Sequence, residues 1–209
     1  LTSNGIESVN KPHSATQTAG EPLAFSADSA YAYVDSQVGF GARVPGTEAH
    51  GECRDWIVER LTSWGVQVEE QQGQMIDYKG DMQPVRNMVA HVEGNKTNGA
   101  AVLLCAHWDC RPWADNDPDS TNWRKPVMAA NDGASGVAVM LELARLMQND
   151  STVNVGVDFV CFDAEDWGTP QWADVADNGD TWALGAQYFA ENLPKNYDVR
   201  YGILLDMVG

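Results

Sequence analysis

Two short, largely apolar segments constrain the fold of this chain more than any other feature. They span residues 101–106 and 155–162, and neither shows the alternation of polar and apolar residues that marks a strand with one face in water. Such strands are typical of the centre of a sheet that is covered on both faces. Residues 133–148 lie between them and place apolar side chains at helical spacing: Val137, Met140, Leu141, Ala144 and Leu146. The order strand, helix, strand predicts parallel strands.

The remaining segments extend this pattern. Helices are predicted at about 28–38, from Thr47 as N-cap to about 64, and at 181–192. Strands are predicted at 66–69, 85–92 and 201–206. We therefore expect an α/β fold with a mainly parallel central sheet flanked by helices. Residues 25–209 are predicted to form one such domain, and the polar residues 1–24 an extended N-terminal arm.

The charge and the hydropathy pattern exclude two kinds of partner. The chain has 13 Lys and Arg against 30 Asp and Glu, a formal net charge of −17. A nucleic-acid surface needs clustered basic residues, so we expect no nucleic-acid partner. No apolar run approaches the ~18 residues that a membrane-spanning helix needs, so we expect no membrane span.

The four cysteines are expected to differ in burial. Cys105 and Cys161 lie in the apolar runs and are predicted to belong to the core. Cys53 and Cys110 are predicted to lie nearer the surface. The sequence does not decide whether one of them forms a disulfide. The sequence has no C-x-x-C pair, so we expect no structural zinc site built from cysteines.

His107 and Asp109 follow the first apolar run directly. Two residues apart, their side chains face the same way if the strand geometry continues. A carboxylate beside an imidazole can fix its tautomer, as it often does around metals. A single histidine at a strand end is nevertheless more often an ordinary surface or core residue. We interpret His13, His50 and His91 in that way, because none has a partner at ligand spacing.

Two further acidic elements follow. Asp132 stands before Gly133 at the start of the predicted helix, where it can act as an N-cap, as a metal ligand or as both. Glu165 and Asp166 follow the second apolar run. Adjacent residues that leave a strand point in different directions, so one carboxylate can bind a metal while the other acts as a base. Taken alone, the pair could equally form a solvated acidic turn.

These elements share one edge of the predicted sheet, where open α/β sheets bind their ligands. Acids scattered by chance on a surface would not follow that pattern, so the sequence predicts a zinc site there. The neighbouring loops carry six of the eight tryptophans: Trp108, Trp113, Trp123, Trp167, Trp172 and Trp182. Some must belong to the core, and several indicate an apolar rim over a small substrate pocket.

Taken in order, the motifs resemble the zinc-dependent aminopeptidase (M28) superfamily. The matching segments are 107–109, 131–139, 162–168 and 204–209, with further likeness upstream at 40–47 and 86–90. Within the superfamily the chain most resembles the glutaminyl cyclases of the animal type and their bacterial relatives. The motifs distinguish the superfamily better than they distinguish cyclase from peptidase.

The resemblance implies a role for each site residue. Asp132 would bind the zinc that both branches share, and Glu165 would be the catalytic acid and base. Asp166 would be a zinc ligand, although the commoner family pattern has glutamate at this position. Asp206 would lie near Glu165 and the substrate amine in a cyclase. In a two-zinc peptidase it would instead bind the second zinc with His107 and a bridging Asp132.

Two more expectations come from the resemblance. Trp172 would form part of the pocket wall, because of its position after the Glu-Asp pair. The family also places a last histidine ligand well downstream of segment 204–206, and this sequence ends at Gly209. We therefore expect the third zinc ligand to lie outside these 209 residues and the chain to be a fragment of a longer protein.

Three functions stay open at this point. The first is a single-zinc glutaminyl cyclase that forms N-terminal pyroglutamate and releases ammonia. The second is a two-zinc aminopeptidase, and the third a non-catalytic binding domain on the same fold. Peptide or protein N-termini would be the substrate. Because such cyclases are usually exported, the resemblance implies a secreted, periplasmic or lipid-anchored protein at the cell surface.

Overall fold

A computed structural model describes residues 24–95, 101–150, 152–177 and 179–209. All of the predicted N-terminal arm except Ala24 lies outside these ranges. The described helices are α1 (Ala27–Gly39), α2 (Glu48–Ser63), α3 (Ala134–Gln148) and α4 (Leu184–Glu191). The strands are β1 (Gln67–Ile76), β2 (Met82–Val92), β3 (Ala101–His107), β4 (Val157–Phe162) and β5 (Val199–Leu204). A single 3-10 turn, Ser120–Asn122, interrupts the long segment between β3 and α3.

The five strands form one sheet in the order β1-β2-β4-β3-β5. The α/β fold is confirmed, and the predicted parallel pairing holds for β4, β3 and β5. The sheet is mixed, however, because β1 and β2 join it as an antiparallel hairpin. The predicted strand 66–69 is only the start of β1. Its continuation is rich in Glu and Gln and has no buried position, so it carries no apolar signal.

The apolar runs lie at the centre of the sheet, as predicted. β4 is buried along its whole length between β2 and β3. Its side chains alternate between faces: Phe159 and Cys161 pack into the core shared with α2 and α3, and Val160 and Phe162 pack against Phe189 of α4. Helices on both faces explain why this strand has no polar alternation.

The start of α2 confirms a prediction, and the start of α4 differs from one. Thr47 caps α2, with its hydroxyl oxygen accepting the backbone N–H of His50 at 3.3 Å. The helix predicted at 181–192 begins only at Leu184, because Ala183 has a φ of +52° and breaks the helical path.

The prediction for two of the cysteines is wrong. Cys53 and Cys110 are fully buried, as are Cys105 and Cys161 in the strands, and all four are free thiols. Cys53 lies one helical turn before Ile57 on the buried face of α2. The Sγ atom of Cys110 accepts the backbone N–H of Arg43 at 3.1 Å. Within the described ranges, no helix has the length and apolar character needed to span a bilayer.

Candidate metal centre and active site

The predicted site residues come together at the carboxyl ends of β3, β4 and β5 and at the start of α3. β3 ends at His107, β4 ends just before the turn 163–166, and Asp206 follows β5 by two residues. Parallel strands finish at the same edge of a sheet, so residues far apart in sequence meet there. The geometry therefore brings His107, Asp132, Glu165, Asp166 and Asp206 into one cluster.

His107 is the centre of this cluster. It is buried, and its Nε2 atom lies 2.9 Å from Oδ1 of Asp132 and 3.8 Å from Oδ1 of Asp206. Its Nδ1 atom lies 3.3 Å from Oδ1 of Asp109, so the tautomer-fixing contact is present. Burial alone would lower the pKa of His107. Hydrogen bonds to Asp109 and Asp132 outweigh burial and raise that pKa to about 11. The neighbouring carboxylates therefore favour the protonated form of the imidazole.

Asp132 is not the N-cap of α3, which excludes the capping role among the roles left open by the sequence. The cap position is Gly133, and no side chain caps this end. Gly133 has a φ of +98°, and a Cβ atom there would lie 3.0 Å from Cε1 of His107. A glycine therefore lets the backbone pass close to the imidazole. The Asp132 carboxylate faces His107 instead, and that hydrogen bond holds the pKa of Asp132 below its usual range.

The turn after β4 is fixed by Asp109, a residue of the loop after β3. Its fully buried carboxylate accepts the backbone N–H groups of Glu165 at 3.0 Å and Asp166 at 3.2 Å, besides its contact with His107. Ala164 lies between these residues and Asp163 with a φ of +49°. One buried carboxylate thus orients the imidazole and the two acidic residues together.

Glu165 and Asp166 both resist ionisation. Burial raises the pKa of Glu165, and the carboxylates of Asp109, Asp132 and Asp206 raise it further. Burial and the same kind of repulsion raise the pKa of Asp166 to about 8. The solvated acidic turn is therefore excluded for Asp166, which is buried. Clustered carboxylates with such pKa values are typical of functional sites.

Two overlapping groups of side chains have the spacing of a metal site. One consists of His107, Glu165 and Asp166, the other of His107, Asp132 and Asp206, and in each group the ligand atoms lie within 4.8 Å of one another. Imidazole nitrogen and carboxylate oxygen are both common zinc ligands. A divalent cation would also relieve the repulsion that raises the pKa of Asp166.

A cavity of about 280 Å³ opens beside this cluster. Asp132 and Asp166 line it, together with residues of the loop after β3: Arg111, Trp113, Ala114, Asp115, Asn116, Asp117 and Val127. Trp172, the expected wall residue, lies one layer behind. Its ring centroid is 5.8 Å from that of Trp113, and the guanidinium of Arg124 lies 3.9 Å from its centroid. Of the six tryptophans of the predicted rim, Trp113 lines the cavity directly.

Sequence reasoning missed His50. Its Nε2 atom lies 2.8 Å from Oδ1 of the buried Asp163, and its ring stacks on Trp108 at 3.9 Å. The other oxygen of Asp163 accepts the backbone N–H of Arg86. Burial raises the pKa of Asp163. The partners are 113 residues apart, so local spacing carried no signal. His91 has the same kind of distant partner, Asp158.

Comparison with known proteins agrees with this site. The model of peptidase family M28 matches residues 87–209. The crystal structure of the glutaminyl cyclase from Tannerella forsythia is 47% identical with a TM-score of 0.83, over 90% of this chain and 63% of that one. The leucine aminopeptidase precursor from Bacteroides thetaiotaomicron is 43% identical with a TM-score of 0.85, over 90% and 64%. A probable zinc metalloprotease of Pyricularia oryzae is 33% identical over 55% of this chain and 25% of its own length.

The chain thus spans under two thirds of these bacterial structures and about a quarter of the fungal protein. The matched segment contains all five residues of the metal cluster. The resemblance seen in the sequence is confirmed, and because the family model covers more than half of the chain, the chain belongs to peptidase family M28.

Proposed function

We propose that this chain is part of a zinc-dependent glutaminyl-peptide cyclotransferase, which closes an N-terminal glutamine into pyroglutamate and releases ammonia. The observation that carries this proposal is the 47% identity to a solved glutaminyl cyclase over 90% of the chain. The site geometry agrees, because Asp166, a buried carboxylate of raised pKa, lines a small cavity together with Asp132 and Trp113.

The side chains of the site fit zinc. Asp132 and Asp166 line the same cavity and are the proposed ligands. Both are oxygen donors, and the repulsion that raises the pKa of Asp166 is what a bound cation would remove. Bound zinc supplies a Lewis acid that polarises a carbonyl group of the substrate.

The proposed reaction needs two proton movements. The α-amino nitrogen of glutamine forms a bond with the γ-carbonyl carbon, and the bond to the γ-amide nitrogen breaks. A proton leaves the attacking amine, and a proton joins the departing nitrogen to form ammonia. Glu165 is the proposed carrier of both protons, because its raised pKa makes it a stronger base than a solvated glutamate. Asp206 is proposed to hold the substrate amine or Glu165.

The test is ammonia release from Gln-peptides by the full-length, zinc-loaded protein. We expect turnover, and we expect Glu165→Gln to lower kcat by ~10²-fold or more while zinc stays bound. Glu59→Gln is the matched control, because Glu59 is exposed on α2. Absence of turnover in the zinc-loaded wild type would refute the proposal.

A two-zinc aminopeptidase is the second candidate. The observation that favours it is the group His107, Asp132 and Asp206, whose ligand atoms lie within 4.8 Å of one another. In this case Glu165 would activate a water molecule. Metal analysis separates the candidates: a peptidase should hold two zinc ions per chain, and His107→Gln should remove one. A cyclase should hold one zinc ion in both proteins.

The proposed function implies a class of substrate and a cellular location. We propose that the enzyme acts on the N-termini of peptides or proteins. We further propose an exported protein, secreted, periplasmic or lipid-anchored, on the resemblance to glutaminyl cyclases. Fractionation of the cells that naturally produce the protein tests this location. Detection of the protein in the cytoplasmic fraction alone would contradict it.

A further inference from the structure

Two long loops form most of the wall around the candidate site. One runs from β3 to α3, the other from β4 to α4, and a single 3-10 turn is their only helical element in the described ranges. Loops of this length need tertiary contacts to hold functional side chains in a fixed geometry. A buried ion pair, Arg111 with Asp115, supplies such contacts.

The pair belongs to the first loop and has close geometry. Nε of Arg111 donates to Oδ1 of Asp115 at 2.6 Å, and Nη2 donates to Oδ2 at 2.6 Å. Arg111 is 8% exposed and Asp115 is 1% exposed. A bidentate contact of planar guanidinium and carboxylate fixes orientation as well as distance.

The pair also makes three hydrogen bonds to the backbone of the second loop. Nη1 of Arg111 donates to the carbonyl oxygen of Asp166 at 3.1 Å and to that of Gly168 at 3.4 Å. Oδ2 of Asp115 accepts the backbone N–H of Gln171 at 2.9 Å. These contacts hold the backbone of a proposed zinc ligand and that of the residue next to Trp172.

We propose that Arg111 and Asp115 form a clamp that positions Asp166 for metal binding and Trp172 behind the substrate cavity, so that metal affinity and substrate binding depend on the same ion pair. Neither residue acts on the substrate in this proposal. They are positioning residues, and the inference rests on the proposed zinc-dependent function.

The guanidinium also contacts the aromatic rim. It lies 5.5 Å from the ring centroid of Trp113 and 4.7 Å from that of Trp182. Lysine could keep the charge but could not make the two-pronged contact with Asp115 and at the same time reach the carbonyl of Asp166. The conservative variant Arg111→Lys is therefore expected to fail as a replacement.

A matched control exists in α3. Glu142 is fully buried and accepts Nε and Nη2 of Arg145 at 2.8 and 2.7 Å. This pair resembles the clamp in geometry, but neither of its residues lines the cavity or belongs to the metal cluster. Glu142→Gln therefore reports the structural cost of weakening such a pair, without the proposed effect on the site.

The experiment compares Asp115→Asn, Arg111→Lys and Glu142→Gln in the full-length protein. Zinc affinity is measured by competition with a chelator, at a temperature where circular dichroism shows each variant folded. We expect the first two to raise the zinc dissociation constant by ~10- to 100-fold, and to raise KM for a Gln-peptide after zinc saturation. The double variant should lose no more zinc affinity than the single variant that binds zinc more weakly, because each substitution breaks the same ion pair.

Wild-type zinc affinity in folded Asp115→Asn and Arg111→Lys would overturn the proposal. A loss of equal size in Glu142→Gln would also overturn it, since the effect would then be one of general stability. The proposed cyclase activity is tested separately. If zinc affinity responds as expected and the wild type releases no ammonia, the proposed reaction fails while the clamp stands.

Discussion

Gly136, in the first turn of α3, lies where any side chain would collide with the end of the sheet. A Cβ atom there would lie 2.9 Å from Cβ of Ala106 and closer still to the backbone carbonyl oxygen of Leu205. Leu205 is followed by Asp206, and α3 is preceded by Asp132. We therefore expect Gly136→Ala to push two proposed site residues apart.

The size of the effect follows from these contacts. Carbon atoms in contact are normally ~3.5–4.0 Å apart, so the helix must move by roughly 0.6 Å or more to clear Ala106. Overpacking of this kind costs about 1–3 kcal/mol, and the helix propensity of alanine returns at most about 1 kcal/mol. With the full propensity gain the net loss is about 0–2 kcal/mol, which corresponds to a fall in Tm of up to roughly 8 °C for a chain of this size. A displacement of ~1 Å at a catalytic site can cost ~10²-fold in rate.

Gly51→Ala is the control. Gly51 lies inside α2, and nothing lies within 4 Å of the Cβ atom that alanine would add. This variant should gain up to about 1 kcal/mol. Thermal unfolding of both variants and zinc titration of Gly136→Ala measure the predictions. Wild-type stability and zinc affinity in Gly136→Ala would refute the argument from close approach.

Two further predictions concern titratable groups. Zinc binding at pH 7 should release protons, because the pKa of Asp166 is raised to about 8 in the metal-free protein and the proton must leave before the carboxylate can bind metal. Zinc affinity should therefore rise with pH between about 7 and 8. Calorimetry in buffers of different ionisation enthalpy counts the protons, and no release at pH 7 would contradict this. The four thiols should react with a thiol reagent near neutral pH only after unfolding, because burial raises the pKa of Cys53 to about 12 and those of Cys105 and Cys110 to about 11. Mass spectrometry counts the adducts, and rapid labelling of the folded protein would show that the thiols are accessible.

The fold could be predicted where local pattern and tertiary environment agree. The largely apolar runs mark β3 and β4 because both faces of these strands are covered. The helix α3 shows its helical period because one face packs on the sheet. The second half of β1 shows neither pattern. No residue of β1 is buried, and the strand is formed by pairing with β2. Such pairing depends on the partner strand, so the local sequence of β1 does not reveal it.

The sequence predicted which residues of the candidate site would meet, but not the hydrogen bonds between them. Parallel strands must end at a common edge, so His107, Asp132 and Glu165 were expected to meet. The family resemblance implied that Asp206 would lie near Glu165. The carboxylate of Asp109 was expected to fix the tautomer of His107, and it also accepts two backbone N–H groups of the loop after β4. Asp132 was equally suited by type and position to cap α3. In the structure Gly133 takes the cap position, and the Asp132 carboxylate lies 2.9 Å from Nε2 of His107.

The backbone carries strain at the same place. In the described ranges, the non-glycine residues with positive φ are Ala129, Ala164, Ala183 and Met207, with values from 46° to 52°. Ala164 and Met207 directly adjoin Glu165 and Asp206, and the N–H of Ala183 donates to the carbonyl oxygen of Glu165 at 2.9 Å. Each such residue costs roughly 1–2 kcal/mol relative to a relaxed conformation. Strain of this kind persists only where surrounding contacts enforce it. The buried carboxylate of Asp109 supplies one such contact beside Ala164, because it accepts the backbone N–H of Glu165. The packing of the sheet thus offsets both this strain and the repulsion among the carboxylates of the cluster, which it holds in one orientation. A bound cation would stabilise that arrangement.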